Sequence, residues 1–315
     1  MSEQQARHAD AAAVELANVS RWYGNVVAVN DISFRLDGGV TGLLGPNGAG
    51  KSTLLHMIAG FLAPSSGSVT VAGAPSWRHP EMYRRIGLVP EHEAVYPFLT
   101  ARQFAAANAR LQGMDRAAAD AAAARAIAMV ELEVAADRAI GTYSKGMRQR
   151  AKVAAALVHD PSILLLDEPF NGMDPRQRLH MMSLLRGMAA EGRTILFSSH
   201  ILEEVERLAE RVLVIVAGRL AASGDFREIR RLMTDRPHTF TVRSSDDRAL
   251  AAALLREPTI AGAALDGGLL TVRSTDFGAF SRALSGVARR AQISLHELLP
   301  TDESLESVFS YLVRR

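Results

Sequence analysis

Nine consecutive residues, Gly45-Pro46-Asn47-Gly48-Ala49-Gly50-Lys51-Ser52-Thr53, combine three chemical resources. The glycines permit a tight backbone path whose N–H groups ring an anion, Lys51 supplies a mobile cation, and Ser52 supplies a hydroxyl for a divalent metal. This is the pattern of a phosphate-binding P-loop, in which Lys51 reaches the β- and γ-phosphates and Ser52 ligates magnesium. The flanks fit, since 40–44 reads as a buried strand and 52–60 as a helix with Leu54, Leu55 and Ile58 on one face and Gly60 as its cap. The loop therefore implies an ATP-binding and hydrolysing protein, with all nine residues contacting nucleotide and with ATP and Mg2+ as cofactors.

A second acidic feature matches it. Asp167 and Glu168 close the apolar run Ile163-Leu164-Leu165-Leu166, which has the length of a central parallel strand. Ligands of open α/β sheets gather at the carboxyl ends of the strands, so the pair belongs near the P-loop. There Asp167 would hold magnesium directly or through water, and Glu168 would orient and deprotonate an attacking water. Surface carboxylates capping a strand are the plainer alternative.

Positioning these groups requires an α/β core. The segment 14–36 alternates in the manner of antiparallel strands, and 68–72, 86–89, 194–198 and 212–216 read as further strands. Alanine-rich sequence from 100 to 138 has high helix propensity and reads as the start of a helical insert over about 100–155. After about residue 235 the order becomes β (238–242), α (249–255), β (261–265), β (269–273), α (277–289), β (293–298), the split βαβ of ferredoxin-like domains. A closing helix follows over 304–313. The expected division is a tail over 1–13, an ATP-binding domain over 14–230, a linker over 230–237, and an accessory α+β domain over 236–315.

The bulk composition excludes several other classes. At 315 residues the chain has room for about two domains. Its cysteine count of 0 rules out disulfides and thiolate chemistry, and is compatible with a reducing cytoplasm. With 36 Lys+Arg against 34 Asp+Glu, the net charge of +2 gives no basic arm for nucleic acid. No apolar run approaches the roughly 20 residues that a membrane span needs.

The order of motifs resembles the nucleotide-binding subunit of an ABC transporter, over about 14–230. The resemblance implies a P-loop NTPase core with an antiparallel β subdomain and an α-helical subdomain. It also assigns roles. Tyr23 is similar to the aromatic that stacks on adenine, although core packing would suit the same residue. Tyr143-Ser144-Lys145-Gly146-Met147 occupies the place of the family signature Leu-Ser-Gly-Gly-Gln, with Ser144 and Gly146 kept for the γ-phosphate of ATP on a second subunit and Lys145 and Met147 as departures. Asn171-Gly172-Met173-Asp174 resembles the D-loop, with Asp174 at the subunit interface, and a simple turn before a helix fits equally. His200 resembles the switch histidine that contacts the γ-phosphate.

The largest departure is Glu91, which stands where the family's Q-loop has Gln. It keeps a side-chain oxygen for magnesium and adds a charge that repels phosphate. The same substitution occurs in family members resembling gliding-motility and antibiotic-efflux ATPases. The signature and the tail Ser304-Leu305-Glu306-Ser307-Val308-Phe309 resemble the ATPases of type-2 ABC exporters. Those act through a separately encoded membrane permease, as a homodimer or heterodimer of ATPase subunits, at the cytoplasmic face of the cell membrane. The alternatives are an importer subunit and a soluble ABC-type ATPase acting on nucleic acid or ribosomes. The second is disfavoured by the lack of a duplicated ATPase domain, a long heptad insertion or a basic arm.

Overall fold

The computed structural model describes residues 13–92, 94–225, 228–229, 237–266, 269–301, 305 and 309. The tail expected over 1–13, the linker over 230–237 and the closing helix over 304–313 lie almost wholly outside them. The chain divides into two compact units, Met1–Ser223 and Gly224–Arg315, each with its own apolar core.

In the first unit the chain runs β1 (Val14–Tyr23), β2 (Val26–Leu36), β3 (Gly39–Leu44), α1 (Lys51–Ile58), β4 (Ser66–Val71), β5 (Ala74–Pro75) and β6 (Ile86–Val89). It continues through α2 (Ala101–Leu111), α3 (Arg116–Met129), α4 (Lys145–Leu157), β7 (Ile163–Leu166), α5 (Pro175–Ala190), β8 (Thr194–Ser198), α6 (Leu202–Leu208), β9 (Arg211–Val216) and β10 (Arg219–Gly224). One sheet is antiparallel with order β2-β1-β4-β5, and the other has order β10-β9-β3-β8-β7-β6 with parallel pairing from β9 through β6. Strands β3, β7 and β8 are buried along almost their whole length because both faces are covered. Helix α1 contributes Leu54, Leu55, Met57 and Ile58 to a core that also holds Val14, Leu16 and Val19 of β1 and Leu43 of β3.

Register decides where the site lies. Val89 pairs with Leu166, Leu166 with Phe197, and Leu43 with Ser198. The carboxyl ends of four strands therefore finish at one edge, and the residues just beyond them are Glu91, Asp167, Glu168, His200 and the P-loop.

The alanine-rich stretch forms two helices. α2 begins with a capping box, in which the Thr100 Oγ1 accepts from Gln103 N and the Gln103 Oε1 accepts from Thr100 N. It ends at Gly113, whose φ of 93° lets Met114 N reach back to Ala109 O and Gly113 N to Arg110 O. Asp115 then caps α3 through Ala118 N. Gly60 ends α1 by the same left-handed device, as its sequence position suggests.

The second unit runs β11 (His238–Ser244), α7 (Asp247–Leu254), β12 (Ile260–Asp266), β13 (Leu269–Ser274), α8 (Phe277–Arg290) and β14 (Leu295–Pro300). Its sheet has order β12-β13-β11-β14 and is antiparallel throughout. This is the split βαβ arrangement. Phe240 and Val242 of β11 face Leu250 and Leu254 of α7 and Phe280, Leu284 and Val287 of α8 in one core. The last strand begins two residues later than the apolar residue Ile293 suggests. Ile293 belongs to the end of α8, where its N–H bonds Ala288 O, Gln292 sits at φ 58° with its N–H on Arg289 O, and the Ile293 side chain packs into the core.

Candidate functional site

The P-loop emerges from β3 and becomes the first turn of α1, which carries no acidic residue. Positive helix-end potential is thus left free for an anion. Gly50 adopts φ 103°, and a β-carbon there would lie 2.4 Å from Ala28 O of β2, so no other residue fits without shifting the strand. Within the loop Ala49 N bonds Pro46 O at 3.1 Å, and Lys51 Nζ donates to Gly45 O at 2.8 Å and Pro46 O at 3.2 Å. The lysine is only 8 % exposed, so its charge is held inside the turn around which phosphate would bind.

The carboxylate pair is organised by a serine. Ser198 is fully buried at the end of β8. Its Oγ donates to Asp167 Oδ1 at 2.5 Å and accepts from Glu168 N at 2.9 Å. A single hydroxyl therefore fixes both the side chain of Asp167 and the backbone of Glu168. Gln149 Nε2 adds a bond to Glu168 O at 3.4 Å. Glu168 has a left-handed φ of 51°, which is costly for a residue with a side chain and is the kind of strain that functional sites retain. His200 Nδ1 lies 2.8 Å from Glu168 Oε2. Burial pushes the Glu168 carboxyl above its ordinary 4.5, while the His200 hydrogen bond and charge, and then Lys51, pull it back.

One cleft collects Asn47, Gly48, Gly50, Lys51, Ser52, Thr53, Glu91, Asp167, Glu168 and His200. Those groups are separated by more than 150 residues of chain and meet because the register aligns the strand ends. Ser52, Glu91 and Asp167 present hydroxyl and carboxylate oxygens, the hard donors that Mg2+ takes. Among the described residues no group of three or more His, Cys, Asp or Glu forms a metal cage by itself. Two carboxylates, a hydroxyl and phosphate oxygens are the usual composition of a magnesium site at a nucleotide.

Gly45, Pro46 and Ala49 of the P-loop do not line this cleft, and Tyr23, Ser144, Gly146 and Asp174 also lie outside it. Tyr23 ends β1 half-exposed, with the Arg21 guanidinium 4.7 Å above its ring. Ser144 is the N-cap of α4 and accepts from Met147 N at 3.2 Å, leaving its O–H to donate elsewhere. Asp174 caps α5, which has Pro175 at its first position, by accepting from Gln177 N at 2.8 Å. The two turns are packed on each other. A β-carbon at Gly146 would lie 2.6 Å from Gly172 O, and the Lys145 side chain covers Gly172.

Sequence reasoning missed the residues that hold these groups. Ser198 stood beside His200 in the Ser198-Ser199-His200 run, and its hydroxyl just before the histidine was the available signal. Ser199 Oγ donates to Glu204 Oε2 at 2.6 Å, and Glu204 Oε1 lies 3.3 Å from Arg178 Nη1, a mostly buried link from the His200 segment to α5. Nothing in the spacing of Arg178 and Glu204 announces it. Lys152 was likewise unmarked.

Comparison with known proteins agrees with this architecture. The family model described as "ABC transporter" matches residues 29–171. The Nod factor export ATP-binding protein I of Burkholderia orbicola is 41% identical over 215 residues, which is 68% of this chain and 71% of that protein. Its namesake in Rhizobium etli is 37% identical over 67% of this chain and 68% of its own length. Among solved structures, an ATP-binding subunit of an ABC transporter superposes with TM-score 0.64 and 29% identity over 70% of this chain and 92% of its own. A dimeric bacterial ABC transporter cassette gives TM-score 0.63 and 25% identity over 67% and 98%. No helix among the described residues is long and apolar enough to cross a membrane. With its P-loop, aligned strand-end carboxylates and signature turn, the chain belongs to the ATP-binding, ATP-hydrolysing subunits of ABC transporters.

Proposed function

We propose that this subunit drives export through a separate membrane permease, with two ATPase subunits closing on two ATP molecules. The observation that carries the reading is the partition of the motif residues. Asn47, Gly48 and Gly50 to Thr53 of the P-loop share one cleft with Glu91, Asp167, Glu168 and His200, while Ser144 and Asp174 are exposed on turns outside it. Such a division is expected if the second set serves the cleft of another subunit. Ser144 then donates its free O–H, and the first turn of α4 its backbone N–H groups, to the γ-phosphate held by the partner's P-loop. Tyr23 stacks on the adenine from its own chain, and Asp174 meets the partner.

In this scheme Lys51 and the P-loop N–H groups bind the β- and γ-phosphates, and Ser52, Glu91 and Asp167 would hold Mg2+, which would offset phosphate charge. Glu168 accepts a proton from the water that attacks the γ-phosphorus, and the terminal P–O bond breaks to give ADP and phosphate. His200 orients Glu168 and senses the γ-phosphate. Export rather than import is supported by the names of the relatives. A groove beside the helical insert, lined by Phe61, Tyr83, Leu88, Phe104 and Leu111, offers an apolar seat for a cytoplasmic helix of the permease.

The test uses Glu168→Gln. With Mg2+ and ATP the variant should bind nucleotide, lose about 10²–10⁴-fold in turnover, and accumulate as a dimer by light scattering. A variant that stays monomeric, or one that turns over like the wild type, overturns the shared-site scheme or the role of Glu168 respectively. Co-purification of a polytopic membrane protein, and cargo movement out of cells carrying it, tests the exporter reading.

A further inference from the structure

Lys152 lies two turns into α4, 5 % exposed, and it is not one of the groups gathered around the P-loop. Its Nζ donates to Pro90 O at 2.7 Å, His92 O at 3.0 Å and Glu91 O at 3.3 Å. An ammonium removed from water needs such partners, because a buried unpaired charge is heavily penalised. The carbonyls need the ammonium as well. β6 pairs with β7 only as far as Val89 with Leu166, so the chain has left the sheet where these three oxygens occur. One side chain from α4 thus replaces the ladder that would otherwise fix the segment carrying Glu91. The first turn of the same helix carries Ser144 and Gly146.

Charge adds a second argument. A carboxylate in place of an amide at position 91 puts another negative charge in a cleft that must admit a polyphosphate. Glu91 and Lys152 line a second cleft together with Ser52 and Lys145, beside the nucleotide cleft that Ser52 and Glu91 also line. The buried ammonium fixes the backbone of that loop, and with it the placement of the added charge, whereas the Glu91 side chain itself is exposed.

We infer that Lys152 is a positioning residue that ties the backbone of the Glu91 loop to the signature helix, and so acts through the side chain at position 91. The inference rests on the reading that Glu91 serves the magnesium side of the site.

The experiment compares the full-length wild type with Glu91→Gln, Lys152→Met, Lys152→Arg and the two double variants in ATP and Mg2+ titrations of ATPase activity. With Glu91 present, Lys152→Met should lower kcat about tenfold and leave the KM for ATP within about twofold, since the loss is in the organised site rather than in nucleotide binding. With Gln at position 91 the same change should cost about twofold or less, a non-additivity that direct coupling produces. Lys152→Arg, which keeps the charge, should recover most of the loss and serves as the measure if Lys152→Met does not fold. An equal loss with Glu and Gln at position 91, or a Lys152→Arg variant no better than Lys152→Met, overturns the inference. An unchanged Mg2+ titration for Glu91→Gln alone removes the metal role of Glu91, while the ratio of Lys152 effects in the two backgrounds still decides the tether.

Discussion

Asp167 and Glu168 are 4 % and 8 % exposed and are fixed by Ser198, whereas Ser144 and Asp174 are exposed and are fixed by the helices they cap. The first pair is preorganised by burial, with donors and acceptors satisfied by a neighbouring strand. The second pair is ordered by local helix chemistry and by the close packing of Gly146 on Gly172. Hydrolytic chemistry needs groups that hold position and resist water, and buried hydrogen bonds supply that. A group that meets another subunit must stay on the surface yet keep its shape. Helix caps and glycine contacts achieve this without a surrounding core.

The comparison breaks most directly if the two sets are separated genetically. Gly146→Ala places a methyl group 2.6 Å from Gly172 O, so the signature turn must move. The variant should bind ATP in its own cleft but lose at least about tenfold in turnover, as a shift of an ångström at a catalytic contact does. Lys51→Ala damages the opposite set. A mixture of the two subunits contains heterodimers in which one site keeps a wild-type P-loop and a wild-type signature turn. Single-turnover hydrolysis in the mixture should exceed that of either variant alone. If mixing restores nothing, the half-sites do not come from different chains.

What was legible in the sequence follows the same division. The P-loop, the Asp167-Glu168 pair and the strands that carry them are local signals, because apolar runs and glycine spacing encode them directly. Ser144, Gly146, Asp174 and His200 had no such local support and were recognised through family resemblance. Least legible were Ser198, Glu204, Arg178 and Lys152. Each acts through a contact made by the fold, and contacts such as Lys152 to Pro90 span 62 positions. The displaced start of β14 has a similar cause, since Ile293 is apolar for the sake of a helix end rather than a strand.

A smaller effect sharpens the buried half. Burial raises the Glu168 carboxyl above its usual range, and His200 is the largest influence holding it down. The group must be ionised to accept a proton, so kcat should fall on the acid side with a midpoint above pH 4.5. The sign for stability is the reverse. A carboxyl whose folded pKa is raised stabilises the fold below its unfolded value and loses that contribution as pH rises through the folded one. Glu168→Gln should therefore melt no lower than the wild type at neutral pH. His200→Gln removes the imidazole partner that holds the Glu168 carboxyl down while keeping bulk beside it, and should move the acid limb of kcat to higher pH. A pH profile that does not move shows that His200 does not tune Glu168.

The smallest effect concerns Asp174, where a cap and a subunit contact predict different things. Asn caps a helix about as well as Asp, with both far better than Ala, a difference of about 1 kcal/mol at a typical N-cap. Asp174→Ala should therefore lower the melting temperature by about 2–4 °C for a chain of this size, and Asp174→Asn should leave it nearly unchanged. Turnover separates the roles. If Asp174 only caps α5, Asp174→Asn retains full ATPase activity. If its charge is read across the dimer, Asp174→Asn loses several-fold in kcat at unchanged stability, and the loss shrinks as salt screens the contact. Wild-type turnover in that variant would return Asp174 to the helix it caps, and the exposed half of the site would then rest on Ser144, with the buried Gly146 packed behind it.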